Sequence, residues 1–280
     1  MRIGITTDIT EFRSRAESFL LDDPLRHTVL TTIIANYLTG IDTQDETVRF
    51  LSVHDEDSSA IGAAIRMAGR DLYLGALPSG SIGAVVRALV EAVPDSAGVE
   101  GALDDAHTFA QHWCALTDKE FHQSERITLY RLGALRIPEV AGTPRRAVES
   151  DIALCADWMA AMREECGMRQ GPDRALIRRR VHAGRWWLWE HDAEPVSLAA
   201  HHVPAEGWSR IGPVYTPPHA RRHGYAGAVT AHVAKLLRAD GLDVCLFADL
   251  TNATADRIYR AIGFHPVHEF AHYVFEARRA

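Results

Sequence analysis

Residues 211–237 read IGPVYTPPHARRHGYAGAVTAHVAKLL, and no other stretch restricts the possible folds of this chain as much. It opens as a short apolar strand, 211–215, which Pro217 and Pro218 end because neither can donate to a ladder. After His219 and Ala220 come Arg221, Arg222, His223, Gly224, Tyr225 and Ala226. Ala226, Val229, Val233, Leu236 and Leu237 then recur at helical spacing, so a helix begins near Gly224. Strand, tight loop and helix start together make an anion cradle. The first N–H groups of a helix have no internal partner, and its dipole adds partial positive charge there. Gly224 and Ala226 let a phosphate approach the backbone, and Arg221 and Arg222 add charge and forked donors.

A second pattern follows: Asn252, Tyr259 seven residues later, and the pair Gly263-Phe264 at the end of the intervening helix. The two patterns together resemble those of the GNAT superfamily of acyl-CoA-dependent N-acyltransferases. That family's pyrophosphate loop reads Arg or Gln, two residues, Gly, one residue, then Gly or Ala, which Arg221, Gly224 and Ala226 match. The resemblance covers about residues 144–276 and is much weaker over 1–140. It implies that acetyl-CoA is the acyl donor, held by the loop Arg221, Arg222, His223, Gly224, Tyr225 and Ala226. It also implies that pantetheine lies along the strand Val214, Tyr215 and Thr216, in a gap between the fourth and fifth strands. Val214 and Thr216 would bind through backbone groups, and the N–H of Val214 or a neighbour is the candidate for the thioester oxygen. Tyr259 is the candidate general acid for the departing thiolate. Its other reading is a core aromatic beside Ile258. Asn252 either bonds the pantetheine arm or an ordered water, or caps the helix 253–262.

Charge and cysteine content bound the setting. The chain has 280 residues and a formal charge of −7, which argues against a general nucleic-acid binder. The charge is uneven. Residues 1–140 hold 12 Lys+Arg and 21 Asp+Glu, giving −9, and 141–280 hold 18 and 16, giving +2. Cys114, Cys155, Cys166 and Cys245 form no CxxC pair and read as reduced thiols. No apolar run approaches membrane-spanning length, and the first residues carry no apolar signal core. The expectation is a cytoplasmic protein, monomer or homodimer, without nucleic-acid or membrane partners.

The hydrophobic pattern gives strand, two helices, three strands, helix, strand, helix, strand, and then a similar order again, with one or two final strands over 267–275. The turn-rich PEVAGTP, 138–144, separates the copies. The expected fold is α+β, with tandem GNAT-like domains at 1–137 and 144–280, each a mixed, mostly antiparallel sheet flanked by helices. Residues 126–135 are expected as the last strand of the first copy. That copy lacks the chemistry. Leu77-Pro78-Ser79-Gly80-Ser81-Ile82-Gly83 has no Arg or Gln at the cradle position, and the helix from Asp104 contains no tyrosine. It is either a degenerate partner domain or an unrelated α/β domain.

The general base stays open among His201, His202, Asp249 and Glu190. His265, His268 and His272 fit no zinc spacing, so no metal is expected. The expected reaction is acetyl transfer from acetyl-CoA to a primary amine of a small molecule. The alternatives are a catalytically idle acyl-CoA sensor or scaffold, and a tandem acyltransferase specialised for a small thiol or an antibiotic.

Overall fold

A computed structural model describes residues 1–41, 48–67, 69–167, 171–249 and 251–278. The first ten elements are β1 (Arg2–Thr6), α1 (Ile9–Asp22), α2 (Thr28–Leu38), β2 (Arg49–His54), β3 (Ala60–Arg66), β4 (Leu72–Leu74), α3 (Ile82–Ala92), β5 (Gly98–Ala102), α4 (Leu103–Thr117) and β6 (Lys119–Leu132). The next ten are β7 (Thr143–Arg146), α5 (Ile152–Glu165), α6 (Arg174–His182), β8 (Trp186–His191), β9 (Glu194–His201), β10 (Trp208–Tyr215), α7 (Tyr225–Ala239), β11 (Asp243–Asp249), α8 (Ala253–Ala261) and β12 (Phe264–Ala277). The second ten repeat the order of the first, so the expected α+β tandem plan is present.

Two compact units divide the chain, and neither is contiguous in sequence. Unit 1 comprises Met1–Leu129, Ala248–Thr251 and Val267–Ala280, and unit 2 comprises Tyr130–Phe247 and Asn252–Pro266. In unit 1 the strand order is β1-β2-β3-β4-β5-β12-β6, and in unit 2 it is β6-β11-β10-β9-β8-β7. The final strand β12 therefore lies beside β5, in the place that β6 takes beside β11. Each unit has one parallel pair among its registered pairs, β4 with β5 and β10 with β11.

Local rules explain most element starts. Asp8 caps α1 by accepting from the N–H groups of Thr10 at 2.7 Å and Glu11 at 3.2 Å. Ile9, Phe12, Ala16 and Leu20 then bury one stripe of that helix. Asp173 caps α6 in the same way. One strand differs from expectation: β6 begins at Lys119 rather than near 126. The polar run KEFHQSER hides it, because residues 122–125 are exposed on a strand that only later enters the core.

In unit 1, α3 and α4 pack Ile82, Val85, Leu89, Phe109 and Trp113 against Leu51, Leu72, Leu74 and Val99. Trp113 stacks between Phe109 and Phe275, at 5.8 and 5.4 Å between centroids. In unit 2, α5 and α6 bury Ile152, Cys155, Met159, Ile177 and Val181 against Trp186, Leu188 and Leu198.

Unit 1 is pinned to its last strand by a polar chain. His272 of β12 bonds Asp71 Oδ2 through Nε2 and Ser124 Oγ through Nδ1, each at 2.7 Å. Burial pushes the His272 pKa down, but the hydrogen bond and charge of Asp71, with Glu100 and Glu125, outweigh it, and the net direction is up. A raised folded value contributes stability that is complete below about 6.5, the ordinary histidine value, and is lost as pH rises through the folded value. The thermal midpoint should therefore fall, as pH rises above about 6.5, more steeply in the native chain than in His272→Gln. Melting curves of both proteins across that range check it.

Candidate functional site

The site is assembled in unit 2 where β10 leaves its neighbour. β10 runs parallel to β11 only from Trp208↔Asp243 to Ile211↔Leu246. On its other edge it pairs with β9, at Ile211↔His201 and then at Val214↔Ala199 and Tyr215↔Leu198, with a register shift between. Gly212 and Pro213 occupy that shift. Pro213 has no N–H to give a ladder, and a bulge bends the strand that carries it. Among the described residues the pairing of β10 with β11 stops at Ile211, and Val214, Tyr215 and Thr216 follow that point.

The cradle follows directly. Pro218–Ala220 form one 3-10 turn, and α7 begins at Tyr225 with Gly224 as its N-cap. The first helical bond is Ala228 N–H to Gly224 O at 3.0 Å, so the amides of the preceding first turn are left for an external acceptor. Gly224 sits at φ +83°, where a Cβ would also stand 3.0 Å from Val140 Cγ2. Arg222 is left-handed too, at φ +70°, which costs a non-glycine residue about 1–2 kcal/mol. Left-handed residues next to right-handed ones turn neighbouring backbone N–H groups toward a common point, the geometry of an anion nest, and here left-handed Arg222 and Gly224 flank His223. Arg222 and His223 are exposed, while Tyr225 is buried, with its ring 5.5 Å from His223 and 5.7 Å from His191.

The Arg221 side chain is turned away from the nest. Its Nε donates to Thr216 O at 2.9 Å, and an Nη donates to Glu165 Oε2 at 2.5 Å. Glu165, on the last turn of α5, also accepts from the Tyr215 hydroxyl at 2.8 Å. The Tyr215 bond, and then Arg221, hold the Glu165 carboxyl below its ordinary range. Arg221 thus ties the end of β10, the loop and α5 together.

Two further helix contacts complete the site. α8 approaches the first turn of α7 at Gly227, where a Cβ would meet Ile258 at 3.5 Å and Ile262 at 3.8 Å. Asn252 caps α8, its Oδ1 accepting from Ala255 N–H at 3.0 Å. Tyr259 is half-buried between Tyr130 and Phe264, at 6.3 and 6.2 Å between ring centroids. Burial, then the nearby Tyr130, push its hydroxyl up to about 12, so it is a proton donor throughout the neutral range.

Residues 190–273 match the family of FR47-like proteins. Among solved structures, a GNAT-family acetyltransferase from Colwellia psychrerythraea aligns over 99% of this chain and 100% of its own, with TM-score 0.62 and 11% identity. A tandem GNAT protein from the clavulanic acid biosynthesis pathway aligns over 100% of both chains, with TM-score 0.58 and 12% identity. This chain has the tandem GNAT fold. A curated relative, the uncharacterized protein YkzC of Bacillus subtilis, is 32% identical over 78 residues. That match takes in 27% of this chain and 54% of the relative, so about half of the relative's length is spanned.

Within that GNAT fold, Val214, Tyr215 and Thr216 lead along the chain to the loop 221–226, and α8, which carries Tyr259 and is capped by Asn252, approaches α7 at Gly227. The candidate bases are differently placed. Glu190 is bonded to Arg145 Nε at 2.5 Å, and Asp249 accepts from Thr251 N–H and Oγ at 2.7 Å each. Burial lowers His201 to about 4 and His202 well below its ordinary value, and His201 pairs with Ile211, at the closed end of the β10–β11 gap. Sequence reasoning missed Glu165 and Tyr130, because each reaches the site from a distant segment, and Asp256 of α8, because its partner Tyr130 is the distant one. Among the described residues no group of three or more His, Cys, Asp or Glu side chains is placed to hold a metal. No helix among them is long and apolar enough to cross a membrane.

Gly263 closes α8 at φ +107°, and a Cβ there would stand 2.1 Å from Ala134 O. The same segment is joined by Gly133 N–H to Gly263 O and Arg136 N–H to Ile262 O, each at 3.0 Å. Gly263→Ala should cost about 2 kcal/mol or more and lower the melting temperature by several degrees. Gly80→Ala, which meets open space, is the control and should melt like the native protein.

Proposed function

We propose that unit 2 binds acetyl-CoA and transfers the acetyl group to a primary amine of a small molecule. One observation carries the reading: β10 parts from β11 at Ile211, ahead of the glycine-capped N-terminus of α7, and the helix bearing Tyr259 approaches that terminus at Gly227. An extended chain of amide groups suits the free strand edge, and a pyrophosphate suits the nest. Arg222 and His223 supply exposed donors beside it. Arg221 acts as a brace of the loop, and the phosphates are taken by backbone N–H groups together with Arg222.

The remaining chemistry follows from the residues. The neutral amine attacks the thioester carbonyl carbon, a C–N bond forms, the C–S bond breaks, and the proton lost from the amine nitrogen passes to solvent water. The N–H of Val214 or its neighbour polarises the carbonyl oxygen. Tyr259 delivers its proton to the departing sulfur. The carbonyls of Tyr215 and Thr216 already accept from Ser197 Oγ and Arg221, which leaves Val214 as the strand residue with the most freedom for the donor. Asn252 keeps its amide NH2 for the pantetheine arm while its oxygen caps α8.

Unit 1 is assigned no acyl-CoA. At the corresponding strand end, Ala76 N–H donates to His27 Nε2 at 3.2 Å. Burial lowers His27 to about 4, so the ring is neutral. A Cβ on Gly75 would stand 2.8 Å from Leu30, so α2 covers the backbone that β10 leaves open in unit 2. The protein is read as cytoplasmic, with no nucleic-acid partner, working as a monomer or homodimer.

Tyr259→Phe keeps the ring and removes the hydroxyl. Thiol release from acetyl-CoA should fall about 10²–10⁴-fold while CoA affinity changes little. An idle sensor would release no thiol in either protein, and equal rates would remove Tyr259 from the mechanism. In the native enzyme the alkaline limb due to this hydroxyl should lie near 12 rather than near 10, because the acid works below its pKa. Calorimetric titration of CoA into Arg222→Glu should show affinity weakened about tenfold or more.

A further inference from the structure

We propose that Tyr130 is a positioning residue for the general acid: its hydroxyl, locked onto Asp256, fixes the rotation of α8 and with it the place of Tyr259. This rests on the reading of Tyr259 as the acid.

The case starts from how little else holds α8. No residue of Ala253–Ala261 is fully buried, so no side chain locks this helix into the core. Its ends are tied, by Asn252 at the start and Gly263 at the close. Ile258 touches the first turn of α7. A short helix held at its ends and along one apolar stripe keeps some freedom to roll. A roll displaces the Tyr259 hydroxyl most, because the long side chain carries it far from the helix axis.

Tyr130 removes that freedom. Its hydroxyl donates to Asp256 Oδ1 at 2.6 Å, and Arg260 Nε donates to the same oxygen at 2.7 Å. Asp256 precedes Tyr259 by three residues and Arg260 by four, which places all three side chains on one face of the helix. The Tyr130 ring also lies 6.3 Å from the Tyr259 ring, at 57° between planes. One buried side chain of β6 thus holds the acid twice, through its hydroxyl on the preceding turn and through its ring on the acid itself. The hydroxyl is committed: burial, then the bond to Asp256, raise Tyr130 to about 12, so it stays a donor. The Asp256 carboxyl is held low by Tyr130 first and Arg260 second, so it stays an acceptor. A bond between a fixed donor and a fixed acceptor does not change with pH over the working range.

Tyr130→Phe removes only the hydroxyl. The experiment measures thiol release from acetyl-CoA with a panel of benzylamine, a polyamine and an aminoglycoside, and with water as the acceptor if no amine reacts. Circular dichroism and melting are recorded in parallel. The expected result is kcat lowered about 5–50-fold, KM for acetyl-CoA within about twofold, and the alkaline limb of kcat moved to lower pH. Asp256→Ala should reproduce that split, and Asp256→Asn, which retains an acceptor for Tyr130, should recover most of the loss. A folded Tyr130→Phe with native kcat overturns the proposal, as does a variant whose KM and kcat move together with its melting temperature. Tyr259→Phe run alongside separates the two levels. If it loses activity and Tyr130→Phe does not, the positioning role alone falls. If the native protein releases no thiol, or Tyr259→Phe is as active as the native chain, the reading of the acid falls and takes this proposal with it.

Discussion

The site depends on the loss of one strand pairing. A parallel pair that continued beyond Ile211↔Leu246 would satisfy the backbone of Val214 to Thr216 and leave nothing for a ligand. Gly212 and Pro213 follow directly on the last paired residue, and Pro213 has no N–H to donate to a ladder. The bulge against β9 absorbs the extra length, so β10 keeps one edge paired while the other comes free. Everything downstream inherits its position from that divergence: the proline turn, the left-handed residues of the loop, the start of α7 and the approach of α8.

The two units show that element order alone does not make a site. Both run through the same ten elements, and both contain the parallel pair at the same place. In unit 1 the strand end is occupied by the chain itself. His27 accepts the Ala76 amide and Leu30 lies against Gly75, while the helix that follows begins at Ile82 without the two left-handed turns seen at Arg222 and Gly224. A buried neutral histidine takes up that strand end in unit 1. It satisfies a backbone donor that no strand reaches, and leaving that donor bare would be costly.

The strained loop is held by polar contacts reaching it from far along the chain. Arg222 in a left-handed conformation is unfavourable by itself, and it persists because its surroundings over-determine it. Arg221 and Glu165 supply part of that restraint. Both side chains are partly open to solvent, so screening keeps their ion pair modest in energy, and its value lies in geometry. The Tyr130 and Asp256 pair serves α8 in a comparable way.

Local physics made much of this legible from residue order. Helix starts at Asp8, Asp173 and Asn252 are capping chemistry, and the break after Thr216 is proline chemistry. Gly224 is a backbone conformation that glycine takes at low cost. Each involves residues within a few positions of one another, so sequence alone determines the glycine-capped loop, the helix capped by Asn252 and the repeated order of elements. The start of β6 was hidden because its exposed polar residues carry no core-facing alternation. What only the tertiary structure decided are the long-range choices: Arg221 turning to Glu165 rather than toward the nest, Tyr130 reaching Asp256, His27 closing the strand end of unit 1, and β12 lying beside β5. Each pairs groups that many other partners in the chain would satisfy equally well, and only the packed arrangement of strands and helices selects among them.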